Sequence, residues 1–301
     1  MSEGSSSYVL QQHRKIAELG TKVDRETSVA TEAIYGPLHP DEPPQRTVRD
    51  LAYGDNDRHR LDFHLPISPP EALLPIVVFL HGGGFVGGNK GGPGRPMFDN
   101  IGRLAVEAGF VGVTMNYRLA PSVSFPAGAE DVALAVRFLA SRAAKHGADP
   151  GNIILMGHSA GAEHVASFLA RPALLGMTRG VVGAVLSSGI YDPRYPPGDT
   201  FAMYYGADEE QRAECSSIPG LLTCGVPLLV GVAEFDPPEL HLQTARLLAA
   251  SVETNGYLPG LFFGAGHNHF SAIAHIGTED RGVSDSIVDF VRMVTHTGQV
   301  S

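Results

Sequence analysis

A serine lies between two glycines in the pentapeptide GHSAG at residues 157–161, which fits the pattern G-x-S-x-G. The pentapeptide follows the apolar run Ile153 to Met156 and opens a segment with helical periodicity. A nucleophile on a sharp strand-to-helix turn takes a strained backbone, and a Cβ at the flanking positions would collide with adjacent chain. In this context Ser159 is predicted to be a nucleophile, rather than the capping serine of an ordinary tight turn.

A second glycine-rich segment, HGGGF at residues 81–85, follows the apolar run Ile76 to Leu80. Successive glycines allow backbone N–H groups to turn toward a developing negative charge. We therefore predict an oxyanion hole built from the N–H groups of Gly83, Gly84 and Ala160. The segment also matches the dinucleotide fingerprint G-x-G-x-x-G, but glycines and prolines within residues 91–96 interrupt the helix that such a site needs.

A serine hydroxyl needs a base, and the base needs an acid that fixes its tautomer. Glu234 and Asp236 both follow an apolar run, and Asp236 is favoured because it lies in the loop beyond the strand. The glycine-rich stretch 264–270 offers two histidines, His267 and His269. The His-Asn-His triplet also has metal-binding residue types, but no carboxylate or cysteine accompanies it at ligand spacing, so we expect no metal.

These residues are set in an alternation of buried strands and helices. Runs that are apolar on both faces are typical of parallel strands, and the helices between them supply the crossovers. The predicted strands are Ile76 to Leu80, Val111 to Met115, Ile153 to Met156, Val181 to Leu186, Pro227 to Val232 and Leu258 to Phe263. The predicted helices are Tyr8 to Leu19, Met97 to Ala108, Pro126 to His146, Gly161 to Ala170 and Pro238 to Glu253. Thr47 to Tyr53 and Arg60 to Leu65 predict an antiparallel hairpin, and the fold class is α/β.

The composition limits the function classes. The chain has 301 residues, is 43% hydrophobic and carries a net charge of -10. An acidic protein lacks the positive patch that nucleic acid or an anionic membrane surface requires. We find neither a signal-like N-terminus nor an apolar run that could span a bilayer, so we expect a cytoplasmic protein.

Four motifs in one order carry a family resemblance: HGGG at 81–84, NYRLAP at 116–121, GHSAG at 157–161 and EFDP at 234–237. Over residues 50–295 the chain resembles the carboxylesterases of the hormone-sensitive-lipase type. The resemblance implies an α/β-hydrolase fold, with a mostly parallel eight-stranded sheet flanked by helices. It also implies a single domain over residues 1–301, with a small mobile cap at 8–45 and 191–223.

The base departs from that family, which usually has His-Gly-Phe. This chain has His269-Phe270-Ser271, which resembles the related kynurenine formamidases. The likeness favours His269 over His267, because it places the base directly before a phenylalanine. The implied catalytic set is then Ser159, Asp236 and His269.

We therefore expect a serine carboxylesterase that acts on small to medium esters, with no cofactor and no nucleic-acid partner. A formamidase with the same triad is the second enzyme hypothesis. A ligand-binding α/β-hydrolase module without chemistry is the alternative from another class. The oligomeric state stays open, and a homodimer is compatible with the sequence.

Overall fold

The computed structural model describes residues 3–40, 45–92, 97–194 and 200–296. Its strands are β1 Arg46–Ala52, β2 Arg60–Leu65, β3 Leu74–Leu80, β4 Val111–Met115, β5 Ala148–His158, β6 Val181–Ser187, β7 Leu228–Phe235 and β8 Gly260–Asn268. They form one eight-stranded sheet in the order β1-β2-β4-β3-β5-β6-β7-β8. β2 is antiparallel to β1 and to β4, and the other pairs are parallel. The predicted α/β-hydrolase sheet and its antiparallel hairpin are confirmed.

Helices flank the sheet. In the described ranges they are α1 Glu3–Leu19, α2 Arg25–Tyr35, α3 Asp99–Glu107, α4 Ala127–Arg142, α5 Ala160–Leu169, α6 Pro172–Leu175, α7 Thr200–Tyr205, α8 Glu209–Glu214, α9 Ile218–Leu221, α10 Pro238–Asn255, α11 Ser271–Ala274 and α12 Gly282–His296. The five predicted helices are present, although α4 ends at Arg142 and continues only as a 3-10 turn to His146. No helix within these ranges is long and apolar enough to cross a membrane.

The core has two layers because the central strands are apolar on both faces. Ile76, Val78 and Leu80 of β3 pack into a cluster with residues of α4 and α5. The alternate residues Val77 and Phe79 pack on the opposite face, in a cluster with residues of α3 and α12. Full burial of one such side chain contributes about 1.5–3 kcal/mol, so both helical layers stabilise the strands that end at the site.

The N-terminal segment lies against β8. Asp24 caps α2 by accepting the N–H of Thr27 at 2.8 Å, and Thr31 of the same helix accepts a hydrogen bond from Asn268 at 3.2 Å. α2 was not predicted, and it is followed by a 3-10 turn over Gly36–Leu38. Residues 41–44 and 195–199, which belong to the two predicted cap segments, lie outside the described residues.

Candidate active site

The site residues follow the carboxyl ends of parallel strands. The glycine-rich segment 81–85 follows β3, Ser159 follows β5, Asp236 follows β7, and His269 follows β8. Open α/β sheets bind their ligands in the crevice outside these strand ends. The sheet therefore brings groups from four distant parts of the sequence to one edge.

Ser159 sits in a strained turn between β5 and α5. Its backbone has φ 55° and ψ -122°, and its N–H donates to the carbonyl of Ser187 at 2.9 Å. The flanking glycines allow close approach of other backbone: a Cβ at Gly161 would lie 2.3 Å from the carbonyl oxygen of Leu80. At Gly157 it would lie 2.4 Å from the oxygen of Gly161. This is the geometry that the GHSAG context predicts for a nucleophile.

The HGGG segment forms a tight turn beside Ser159. Gly83 has φ 135°, and its carbonyl accepts the N–H of Gly87 at 3.0 Å. A Cβ at Gly83 would lie 2.1 Å from the carbonyl oxygen of Gly87, so only glycine fits at position 83. Among the described residues, the N–H groups of Gly83 and Gly84 have no backbone acceptor. Ala160 is the first residue of α5, where an N–H has no acceptor within the helix. None of these three N–H groups has a backbone acceptor among the described residues.

Asp236 and His269 form a buried pair. His269 Nδ1 lies 2.7 Å from Asp236 Oδ1, and both side chains are buried. Asp236 Oδ2 accepts two further hydrogen bonds, from the Ser188 hydroxyl at 2.6 Å and the Ala233 N–H at 2.8 Å. Burial alone would raise the pKa of Asp236, but the hydrogen bond and charge of His269, with these two donors, hold it below its usual value. The imidazole therefore faces a carboxylate.

His269 lies next to the nucleophile turn. Its ring centroid is 4.5 Å from that of His158, the residue before Ser159. A carboxylate on Nδ1 holds that nitrogen protonated and leaves Nε2 as the basic atom. The arrangement suits a base that receives a proton from a neighbouring hydroxyl.

The two rival residues are placed elsewhere. Glu234 accepts the N–H of Gly266 at 2.7 Å, which makes it a support of the loop. His267 Nε2 lies 3.1 Å from Asp280 and its Nδ1 lies 3.2 Å from the Ser271 hydroxyl. The structure pairs His269, and not His267, with Asp236.

Ser188 was missed by the sequence analysis. It follows β6, the strand next to β7, and has φ 50°. Its hydroxyl donates to the Asp236 carboxylate. The available signal was its position after an apolar run at the same edge of the sheet as Ser159 and Asp236.

His81 and His158 lie within the backbone turns of the site. Both are buried, and desolvation lowers the pKa of each to about 3. His81 Nδ1 lies 2.6 Å from the carbonyl of Gly82, and its ring stacks on Tyr117 at 4.4 Å. Neutral rings of this kind hold the backbone of the site in place.

Residues of the NYRLAP motif hold the glycine-rich segment in place through hydrogen bonds. The hydroxyl of Tyr117 donates to the carbonyl of His81 at 2.6 Å. Arg118 is anchored by Asp131, which accepts its backbone N–H and its Nε, both at 2.7 Å. The motif therefore acts through the loop that carries Gly83 and Gly84.

An aromatic cluster borders the site. Phe85 stacks on Tyr204 at 4.6 Å with the rings nearly parallel, and Phe125 and Tyr205 pack beside them at 5.1 Å from each other. The buried cluster also includes Ala160. A further aromatic side chain, Phe270, lies next to His269.

Comparisons with known proteins find esterase relatives over part of the chain. The BD-FAE family model matches residues 61–175. The probable isoprenylcysteine alpha-carbonyl methylesterase ICMEL1 of Oryza sativa subsp. japonica is 32% identical over 129 residues, which are 43% of this chain and 29% of that protein. The curated relatives are matched over only 24 to 38% of their own lengths.

Solved esterases have the same fold. An esterase from Pyrobaculum calidifontis superposes with a TM-score of 0.72 at 24% identity, covering 93% of this chain and 97% of its own. Esterase B from Lactobacillus rhamnosis, solved with a C4-C4 tributyrin phosphonate, superposes with a TM-score of 0.74 at 18% identity, covering 97% of each chain. The α/β-hydrolase fold and the resemblance inferred from the motifs are confirmed.

Proposed function

We propose that this chain, an α/β-hydrolase that resembles carboxylesterases of the hormone-sensitive-lipase type, is a serine carboxylesterase. The observation that carries the proposal is the buried Asp236–His269 pair, 2.7 Å between Oδ1 and Nδ1, beside the strained turn of Ser159. A serine is a weak nucleophile until an oriented base removes its proton. The esterase names of the relatives and structural neighbours support the same reaction class.

In the proposed mechanism each residue of the site has one role. Ser159 Oγ attacks the ester carbonyl while His269 Nε2 takes its proton, and Asp236 holds the resulting imidazolium. The N–H groups of Gly83, Gly84 and Ala160 donate to the tetrahedral oxyanion. His269 then protonates the leaving alcohol and activates the water that cleaves the acyl-enzyme.

The proposed substrates are small to medium esters. The aromatic cluster around Phe85 and Tyr204 is buried and closely packed, which leaves an apolar wall and limits chain length. We assign the cap to residues 8–45 and 191–223; α7 in the second segment supplies Tyr204 and Tyr205 to this wall. Movement of α7 would then change the size of the pocket.

The test is steady-state hydrolysis of p-nitrophenyl esters from acetate to laurate by the purified chain and by Ser159→Ala. We expect the highest kcat/KM on short chains and no turnover above background in Ser159→Ala. Circular dichroism of both proteins controls for folding. Equal turnover of all esters by the folded variant would contradict the proposal.

N-formylkynurenine belongs in the same experiment. The sequence His269-Phe270 favours a formamidase as the second candidate, and the same triad would cleave an N-formyl amide. Ser159-dependent deformylation faster than ester hydrolysis would select that activity. A protein that turns over neither substrate would support a binding module.

A further inference from the structure

A second polar cluster includes His267, two residues before His269. It consists of His13 from α1, His267 near the end of β8 and Asp280 from the segment before α12. Asp280 Oδ2 lies 2.6 Å from His13 Nε2 and 3.1 Å from His267 Nε2. Two imidazoles that are far apart in sequence thus converge on one carboxylate oxygen.

We propose that His13, His267 and Asp280 bind one divalent transition-metal ion of the zinc type. Two imidazole nitrogens and one carboxylate oxygen form a donor set that Zn²⁺ and its neighbours prefer over Mg²⁺ or Ca²⁺, which take oxygen ligands. Three protein ligands leave a further coordination position open.

The separations are close to those a metal requires. One ligand atom from each residue lies within 4.8 Å of the others. Bonds of about 2.0–2.1 Å to a tetrahedral ion place ligand atoms about 3.3 Å apart. On metal binding, the two short contacts of Asp280 with the histidines must therefore lengthen slightly, and the longest separation between ligand atoms must shorten. His13, whose side chain is 23% exposed at the edge of the cluster, has room to adjust.

The surroundings of the cluster contain unpaired polar groups. Gln12 Oε1, the Tyr35 hydroxyl and His275 Nε2 are buried and have no hydrogen-bond partner among the described residues. Tyr35 and His275 pack against His267, with the His275 ring stacked on it at 3.8 Å. Buried polar atoms normally have partners, so a bound ion with its coordinated water accounts for these groups.

A cavity lies beside Asp280. It has a volume of about 360 Å³, and Gln12, Tyr35 and Asp280 are among the residues that line it. The Ser271 hydroxyl lies 3.2 Å from His267 Nδ1, the ring nitrogen that would not bind the ion. It orients this imidazole, as outer-shell partners of metal-bound histidines do.

The consequence is a tie between the N-terminal helix and the loop of the active site. His13 packs directly on that loop, because a Cβ at Gly266 would lie 2.3 Å from its ring. A metal on His13 and His267 would fix α1 to the residues just before His269. This role concerns stability and does not depend on the proposed ester hydrolysis.

The experiment measures Zn²⁺ binding to the full chain without an affinity tag. The metal-free protein is titrated with ZnCl₂ by calorimetry and, in parallel, with Co²⁺ to record its visible absorption. We expect one equivalent of Zn²⁺ per chain, and a Co²⁺ spectrum typical of four or five ligands. Zn²⁺ should also raise the melting temperature.

Three variants locate the site. Asp280→Asn and His13→Ala should weaken Zn²⁺ binding by at least about 100-fold, since loss of even an outer-shell partner weakens binding 10–100-fold. His13→Cys keeps a ligand and should bind Zn²⁺ with an altered Co²⁺ spectrum, which separates ligand loss from misfolding. His241→Ala, on α10, is the matched control and should bind as wild type does. The proposal is overturned if the wild-type chain binds no stoichiometric Zn²⁺, or if Asp280→Asn and His13→Ala bind it equally well.

Discussion

Asp236→Asn tests the tautomer argument, because asparagine keeps the size of the side chain and changes one hydrogen-bonding group. Asp236 Oδ2 accepts from both the Ser188 hydroxyl and the Ala233 N–H, so the amide oxygen must occupy that position. The amide NH₂ then replaces Asp236 Oδ1, which lies 2.7 Å from His269 Nδ1 in the wild-type chain. Two N–H groups cannot share that contact, and the imidazole must carry its proton on Nε2 instead.

An Nε2–H imidazole cannot accept the proton of Ser159. In a Ser-His-Asp triad this tautomer error lowers kcat about 10⁴-fold. The loss corresponds to about 5.4 kcal/mol of transition-state stabilisation, at 1.36 kcal/mol for each factor of ten. KM should stay near the wild-type value, because the substitution does not touch the aromatic wall of the pocket.

The assay is kcat and KM for p-nitrophenyl butyrate, with a thermal melt to confirm folding. Glu234→Gln is the matched control: Glu234 also follows β7, but it accepts the N–H of Gly266, and glutamine retains an acceptor oxygen. We expect this control to stay within about threefold of wild type, well inside the effect of a single factor of ten. Retention of a tenth of kcat by Asp236→Asn, or an equal loss in Glu234→Gln, would refute the reasoning.

Three further outcomes follow from other contacts. Ser188→Ala should lower kcat about tenfold at constant KM, since one hydrogen bond to a charged group contributes about 1.5 kcal/mol; an unchanged kcat would count against this positioning role. Gly83→Ala should lower kcat by about 10²–10³, because its Cβ would clash with the Gly87 carbonyl and displace an oxyanion donor, whereas Gly87→Ala, with 3.7 Å to its nearest neighbour, should be tolerated. Desolvation lowers the pKa of buried His64 to about 4 in the folded chain. The unfolded chain therefore takes up a proton on this histidine at higher pH, and the free energy of unfolding falls as pH drops from about 6.5 toward 4. His64→Gln should reduce that slope by about 1.4 kcal/mol per pH unit in urea unfolding, and an unchanged slope would argue against a neutral His64.

The strands that form the site were predictable because each is apolar on both faces. A buried parallel strand must end at a defined edge, and chemistry-bearing residues that follow several such strands must meet there. Ser159 was predicted from the G-x-S-x-G pattern after one such strand, and Asp236 from its place in the loop beyond another. The choice between His267 and His269 needed the family resemblance, since both lie in the same glycine-rich stretch.

Seven of the twelve helices in the described ranges were not predicted, and the longest of them are α2 and α12. The buried residues of α2 are Thr27, Thr31 and Tyr35, so its inner face has little of the apolar periodicity that identifies a helix. By contrast, α12 was missed although its buried residues Val283, Ile287 and Val291 have helical spacing.

The cluster of His13, His267 and Asp280 could not be predicted from spacing. His13 and Asp280 lie 267 residues apart, and no local motif joins them. α1 packs on β8, and Asp280 contacts a histidine of each. A search for ligands near the His-Asn-His triplet in sequence therefore finds no carboxylate.

The proposed hydrolysis passes through a covalent intermediate on Ser159, which active-site labelling detects. The chain is treated with a p-nitrophenyl alkylphosphonate, and the released nitrophenol and the mass of the intact protein are measured together. We expect one phosphonyl group per chain, mapped by peptide analysis to Ser159 and lost in Ser159→Ala. Labelling at another residue, or equal labelling of the variant, would contradict it.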